Sequence, residues 1–198
     1  MRIASALLSA LCCFFVLPAA ALESIRLSPS VHYIRGASGV PSLANRGHTS
    51  NAGFVVTTDG VVVFDALGTP ILGKEFIAAI RKVTQAPIRR VIVSHYHADH
   101  VYGLQPLKEQ GAEIWAHPAA DLYLKSDAAQ QRLAERRTTL APWVDAKMRL
   151  VPADYWVDRE VSFQLGGLTF RVFPVGPAHT PEDLAMVVEE ENVLFVGD

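Results

Sequence analysis

The sequence predicts a layered domain of α/β or α+β class, and three observations predict it. Strand-like runs alternate with helical ones along the whole chain after an apolar leader, and such an order packs helices on sheets. Half of the 198 residues are hydrophobic and 19% are charged, a balance that supports a packed core. There is no low-complexity segment and no short-period repeat, and the length suits about one domain.

Residues 1–21 stand apart from that domain. Arg2 supplies a positive start, Ile3 to Leu17 is almost unbroken apolar sequence, and the small residues up to Ala21 fit signal-peptidase cleavage, with Ala19 at −3. The expectation is a signal peptide over 1–21 and a mature domain over 22–198, exported to the periplasm in a Gram-negative source. The apolar run is too short to span a bilayer comfortably, so no membrane attachment is expected after cleavage. Both cysteines, Cys12 and Cys13, lie in the leader, so the mature chain offers no thiolate as ligand, nucleophile or disulfide. A net charge of −2 without a basic stripe gives no footing for a nucleic-acid partner.

The elements follow in order. Ser24 to Gly36 alternates and is β-rich, which predicts one or two strands. Gly36 to Ser50, "GASGVPSLANRGHTS", has no apolar period and reads as a long loop, expected to form a flap over a site. Ala52 to Ala66 is strand, Asp59-Gly60 turn, strand. Thr69 is the expected N-cap of a helix that begins at Pro70 and runs to Thr84. "IRRVIVS" predicts a short buried strand, "DHVYGLQPLKEQG" one short helix, and "AEIWAH" another strand. Asp121 to Thr139 is helical in composition with a break near Ser126. From Leu150 the chain is β again, with one hairpin around Gly166-Gly167 and a second over Glu182 to Asp198. Ala52–Asp65 and Ala185–Asp198 echo each other, both strand, polar turn, strand, both ending on aspartate.

The chemistry concentrates in "SHYHADH", Ser94 to His100, which holds three of the chain's seven histidines. His95 and His97 are two apart at a strand's end, so alternation sets both on one face, able to share a metal ion. Asp99 and His100 come after Ala98, where the chain turns into a helix, and suit a second ion nearby. Nitrogen and oxygen donors without sulfur fit Zn²⁺ and tolerate Mn²⁺ or Fe²⁺. The plainer alternative is a polar turn of structural histidines. Against it stands the position of the cluster, at the C-terminal end of a strand, where α/β sheets place their sites. His95 and His97 alone still need a third protein ligand for a catalytic zinc geometry.

His-x-His-x-Asp-His after a strand resembles the signature of the metallo-β-lactamase fold superfamily. A second block, "GPAHTPEDLAMVVEEENVLFVGD" over Gly176 to Asp198, is similar to that family's Gly-His-Thr motif and the hairpin after it. "NAGFVVTTDGVVVFDA" resembles its early hairpin, so the likeness covers essentially the whole mature chain. The resemblance implies an αββα four-layer sandwich. It implies that His95, His97 and His179 hold one metal, that Asp99 and His100 hold the second, and that Asp198 bridges the two. The aspartate at 198 is more like the glyoxalase II and lactonase branches, whereas the block around His179 is more like the β-lactamase branch. The family's second site also takes a histidine well downstream of the bridging residue, and the sequence stops at Asp198. The expectation is therefore a sandwich with its second half truncated, aggregation-prone and weakly active or inactive in this form.

The implied activity is that of a zinc-dependent hydrolase, with two ions per complete domain, acting on an amide, ester, thioester or lactone of a small-molecule substrate. Two cations sharing a water lower its pKa from 15.7 towards about 7 and polarise the substrate carbonyl. Asp99 is the expected catalytic residue, orienting that water, and Asp65 is a candidate partner steering a ligand histidine, or else a turn-capping aspartate. Two other readings stand beside this one: an iron-dependent oxidoreductase of sulfur metabolism on the same scaffold, and a non-catalytic metal-binding domain. His32 and His117 read as structural or surface groups, His48 as a residue of the loop with no forced role. Trp143, Tyr155 and Trp156 read as packing groups.

Overall fold

The computed structural model describes residues 22–198, so the leader predicted over 1–21, with Cys12 and Cys13, lies outside the described residues. The chain opens with β1 (Ile25–Arg26) and β2 (Val31–Ile34), then the hairpin β3 (Ala52–Thr57) and β4 (Gly60–Phe64). Helix α1 (Pro70–Val83) leads to β5 (Ile88–Ile92), and α2 (Ala98–Val101), α3 (Leu104–Glu109) and β6 (Glu113–Ala116) follow. Next come α4 (Ala119–Leu124), α5 (Asp127–Thr139) and β7 (Tyr155–Trp156). The last elements are the hairpins β8 (Val161–Leu165) with β9 (Leu168–Pro174) and β10 (Leu184–Val188) with β11 (Val193–Phe195).

Strands β1 to β7 form one sheet in sequence order, antiparallel from β1 to β4 and parallel from β4 to β7. Strands β11, β10, β9 and β8 form a second, antiparallel sheet. The period of two along each strand divides the core between two faces. Phe54, Val61, Val63, Val91 and Ile114 face the helices, beside Phe76 and Leu107. Their neighbours Val55, Val62, Phe64, Ile92 and Trp115 face the second sheet, against Phe170, Val172, Leu184 and Met186. A strand buried on both faces reads as an unbroken apolar run, which is why "VVVF" in β4 shows no alternation. The described residues thus make three layers, helices on one sheet and that sheet on another. This is the mixed α/β, two-sheet architecture of the expected sandwich, without a helical layer outside the smaller sheet among the described residues.

Local chemistry starts and stops these elements as their sequences predict. Thr69 Oγ1 accepts the backbone N–H of Leu72 at 3.3 Å, and Pro70 follows it at the head of α1. Ser126 Oγ accepts from Ala129 N at 3.3 Å and begins α5 where the break was expected.

Two expectations are corrected. "DHVYGLQPLKEQG" is two short helices, because Gly103 leaves the helical ladder to donate its N–H to Leu67 O at 3.0 Å. A Cβ at Gly103 would stand 1.8 Å from Ala66 O, so the backbones meet there at a distance only glycine allows. His95 and His97, in turn, lie beyond the strand, since β5 ends at Ile92. The segment stays extended enough for the two to share a side while Tyr96 between them is buried in the core. Strand β7, two residues long, carries no period from which it could be predicted.

Candidate metal centre

Adjacent strand ends of the larger sheet build the floor of the site. Asp65 follows β4 directly, and Ser94 to His100 follow β5, its parallel neighbour. Asp65 adopts a left-handed conformation (φ 62°), which an aspartate tolerates better than most residues, and it is buried. Its carboxylate accepts the backbone N–H and the hydroxyl of Ser94, each at 2.8 Å, and lies 2.8 Å from His100 Nδ1. That carboxylate accepts the Nδ1–H, which leaves Nε2 of His100 facing the cluster.

The smaller sheet supplies the other wall. Asp183 ends the loop that carries His179, accepting Thr180 N at 2.9 Å and Thr180 Oγ1 at 2.5 Å. Leu184 N donates to Ser94 O at 2.8 Å, which ties the start of β10 to the histidine segment. Past β11, Gly197 lies close against Ser94 and His95, and a Cβ there would stand 3.0 Å from Ser94 Oγ. This places Asp198 beside His100.

Five of the six predicted ligands converge in two overlapping groups. Donor atoms of His95, His97 and His179 lie within 4.8 Å of one another, and so do those of His95, His100 and Asp198. His97 Nδ1 and His179 Nε2 are 3.0 Å apart, and the His95 and His100 rings are 4.2 Å apart. Asp99 falls outside both groups: its Oδ2 is 4.0 Å from His100 Nε2 and is held instead by Thr49 Oγ1 at 2.9 Å. The second group therefore contains His95 where the sequence suggested Asp99, because Gly197 brings Asp198 in over His95.

The electrostatics follow from burial and these neighbours. Burial lowers His95 to about 4, with His100 beside it acting in the same direction. Burial also pushes His100 down, but Asp65, Asp198 and Asp99 outweigh it and hold His100 up to about 10. The approach of His100 in turn holds Asp198 down to about 2, against partial burial. His97 is lowered by burial and by His179.

These residues fit a cation on their own geometry. His95 Nε2 and His100 Nε2 are buried without a hydrogen-bond partner, although His100 Nε2 stands 3.3 Å from Asp198 Oδ1, off the hydrogen-bonding direction. Buried polar atoms are seldom left unpaired, and these two face a cluster of imidazoles and carboxylates with no sulfur. Such a donor set suits zinc and other borderline divalent ions.

Some neighbours of the site went unassigned in the sequence. Thr49 and Ser50, at the end of the long loop, bond to the side chain and the backbone carbonyl of Asp99. The same loop is pinned to α1 by Arg46, whose guanidinium meets Glu75 at 2.6 and 3.0 Å. On the far side α5 brings Arg132 and Arg136 to the cavity beside His97. Their spacing of four on a predicted helix was the one sequence signal for them. His32, stacked on Phe54 at 4.9 Å, and His117 lie outside both donor groups.

Comparison with known proteins agrees with this architecture. Residues 45–198 match the family model described as "Metallo-beta-lactamase superfamily". The chain is 26% identical over 150 residues to a metallo-beta-lactamase type 2 of Elizabethkingia meningoseptica, covering 76% of this chain and 52% of that protein. It is 26% identical over 174 residues to an atrochrysone carboxyl ACP thioesterase of Emericella nidulans, covering 87% of this chain and 45% of that one. Among solved structures, a metallo-beta-lactamase from Pontibacter korlensis superimposes with a TM-score of 0.67 at 18% identity, covering 88% of this chain and 70% of the other. The chain spans about half the length of the curated relatives it matches.

Proposed function

The chain belongs to the metallo-beta-lactamase superfamily, and from that premise we propose that it is the zinc-binding part of an exported hydrolase of small molecules bearing an amide, ester, thioester or lactone. The observation that carries this reading is the convergence of nitrogen and oxygen donors from two sheets, around two buried imidazole nitrogens without partners. The names of two relatives, a beta-lactamase and a thioesterase, belong to those proteins and support the substrate class here only as acyl-group hydrolysis. Export rests on the sequence of residues 1–21.

In this reading His95, His97 and His179 would hold one ion and His100 and Asp198 its neighbour, with Asp99 beside them, 4.0 Å from His100 Nε2. Bound zinc supplies Lewis acidity towards the carbonyl oxygen and brings the pKa of a water near neutrality. The chain's own residues do the rest. Asp65 fixes the tautomer and ring plane of His100, and Asp183 fixes the loop behind His179. Asp99, held at one oxygen by Thr49, accepts a hydrogen bond from the attacking water and receives its proton. The cavity above these residues receives the substrate, with Val40, Pro41 and Thr49 of the long loop along one edge.

Metal analysis of the purified protein is the test. We expect zinc at up to two ions per chain, loss of zinc in His97→Ala, and weak, chelator-sensitive cleavage of an activated thioester or ester. Unchanged zinc in the variant would refute the ligand set. Iron at full occupancy with no zinc would replace the hydrolase by the oxidoreductase reading.

A further inference from the structure

The cavity that opens on the histidine cluster has a second, differently charged wall. Its volume is about 470 Å³, room for a small organic ligand, and His97, Asp99 and Asp198 line one end. The other end is helix α5, which contributes Ala128, Arg132 and Arg136, with Tyr123 of α4 beside them. Residues spaced by four share a helix face, so the small alanine and the two arginines form one stripe towards the cavity. Ala129 and Leu133, on a different face of the helix, are buried.

Arg136 is the unusual member of the stripe. Its side chain is only 16% exposed, its Nε is buried without a hydrogen-bond partner, and the recorded carboxylate contact, Glu135 Oε1, stands 3.8 Å from Nη1. Arg132 Nη1 meets the same Glu135 at 3.0 Å. Arg137, one position further on, shows what a structural arginine looks like here, donating to the carbonyls of Asp145 at 3.2 Å and Met148 at 2.7 Å. A guanidinium withdrawn from water ordinarily has its donors satisfied, and Arg136 lines a cavity that a planar anion can enter.

We propose that Arg136, with Arg132 at the rim, is a subsite for the carboxylate of an anionic substrate whose reacting bond lies at the histidine end of the cavity. The assignment of the reacting end rests on the hydrolase reading above; the anion subsite stands on α5. The two guanidinium groups, at the end away from the histidines, accept a carboxylate through paired N–H···O bonds. The site therefore selects acyl compounds that carry a carboxylate over neutral ones of the same shape.

Calorimetric titration of the purified protein, before and after incubation with zinc, with 4-nitrobenzoate and with the neutral 4-nitrobenzamide tests this directly. We expect the benzoate to bind more tightly than the amide, and Arg136→Gln to weaken the benzoate about tenfold, the loss of one charge-assisted hydrogen bond. Glu135→Gln, which removes the competing carboxylate from an exposed position, should strengthen it several-fold, and Arg137→Gln should not weaken it. Equal affinity for the two probes, or benzoate binding as tight in Arg136→Gln as in the wild type, would overturn the subsite. A protein that binds zinc and cleaves the ester without preferring benzoate sinks the subsite alone. One that prefers benzoate through Arg136 but takes up no zinc sinks the hydrolase reading alone.

Discussion

Asp65 is the residue on which most of the floor of the site depends. One buried carboxylate accepts from Ser94 N, Ser94 Oγ and the His100 ring, so it fixes backbone, side chain and tautomer together. Asp65→Ala should cost about 2–4 kcal/mol in chemical denaturation, because a buried N–H and a buried imidazole lose their acceptor. It should also weaken zinc at the His100 position by about 10–100-fold, the usual effect of losing the partner of a ligand histidine. Asp65→Asn, which keeps the shape, should lose less stability and still lose zinc affinity. Equal zinc affinity in both variants and the wild type would show that Asp65 only caps the turn. His100 also gives meaning to the sequence echo between the two hairpins. It lies between the aspartates that end them, 2.8 Å from Asp65 and 3.3 Å from Asp198.

At the scale of elements, the joints rather than the helices and strands set the position of the candidate ligands. The α2–α3 joint is a backbone contact at Gly103, and a methyl group there would displace the Ala66–Leu67 turn next to Asp65. Gly103→Ala should therefore destabilise the fold by about 1–3 kcal/mol or more, as overpacking does, measured by urea midpoint. A second joint ties α3 to β6. Asp154 accepts Ile114 N at 2.8 Å and takes Lys108 Nζ at 2.5 and 2.6 Å. Desolvation pushes this carboxyl up, but the Ile114 N–H and the Lys108 ammonium together bring it below its ordinary value of 3.8. A lowered folded pKa means stability that is present above the unfolded value and is lost as pH falls through the folded one. Both side chains are more than a third exposed, so screening keeps the contribution to about 0.5–1 kcal/mol. Asp154→Asn should show that deficit at pH 7 and approach the wild type from about pH 4 downward; a constant deficit would assign it to packing alone.

At the scale of the molecule, the site is a contact between two sheets. His95, His97, Asp99 and His100 come from the larger sheet, His179 and Asp198 from the smaller, and the apolar layer between the sheets sets their separation. Phe170, fully buried and stacked on Phe163 at 5.0 Å, is central to that layer. Phe170→Ala should cost about 3–5 kcal/mol and, in protein that stays folded, reduce zinc affinity although it touches no ligand. Zinc affinity unchanged at lower stability would mean that the ligand geometry is held by the loops alone.

The amino-acid sequence alone determined what short-range physics can encode. The hairpins at Asp59-Gly60 and Gly166-Gly167, the Thr69 cap and the clustering of His95, His97, Asp99 and His100 were all legible, because turns, caps and motifs act over a few residues. His179 and Asp198 were legible only through resemblance to a family, since no local rule brings residue 179 to residue 97. Tertiary structure decided the rest. It decided that Asp99 turns to Thr49 while Asp198 lies over His95, that "VVVF" in β4 is buried on both faces, and that α5 turns two arginines towards the cluster. Each of these depends on packing between segments distant in sequence, where burial and close backbone contact outweigh local preference.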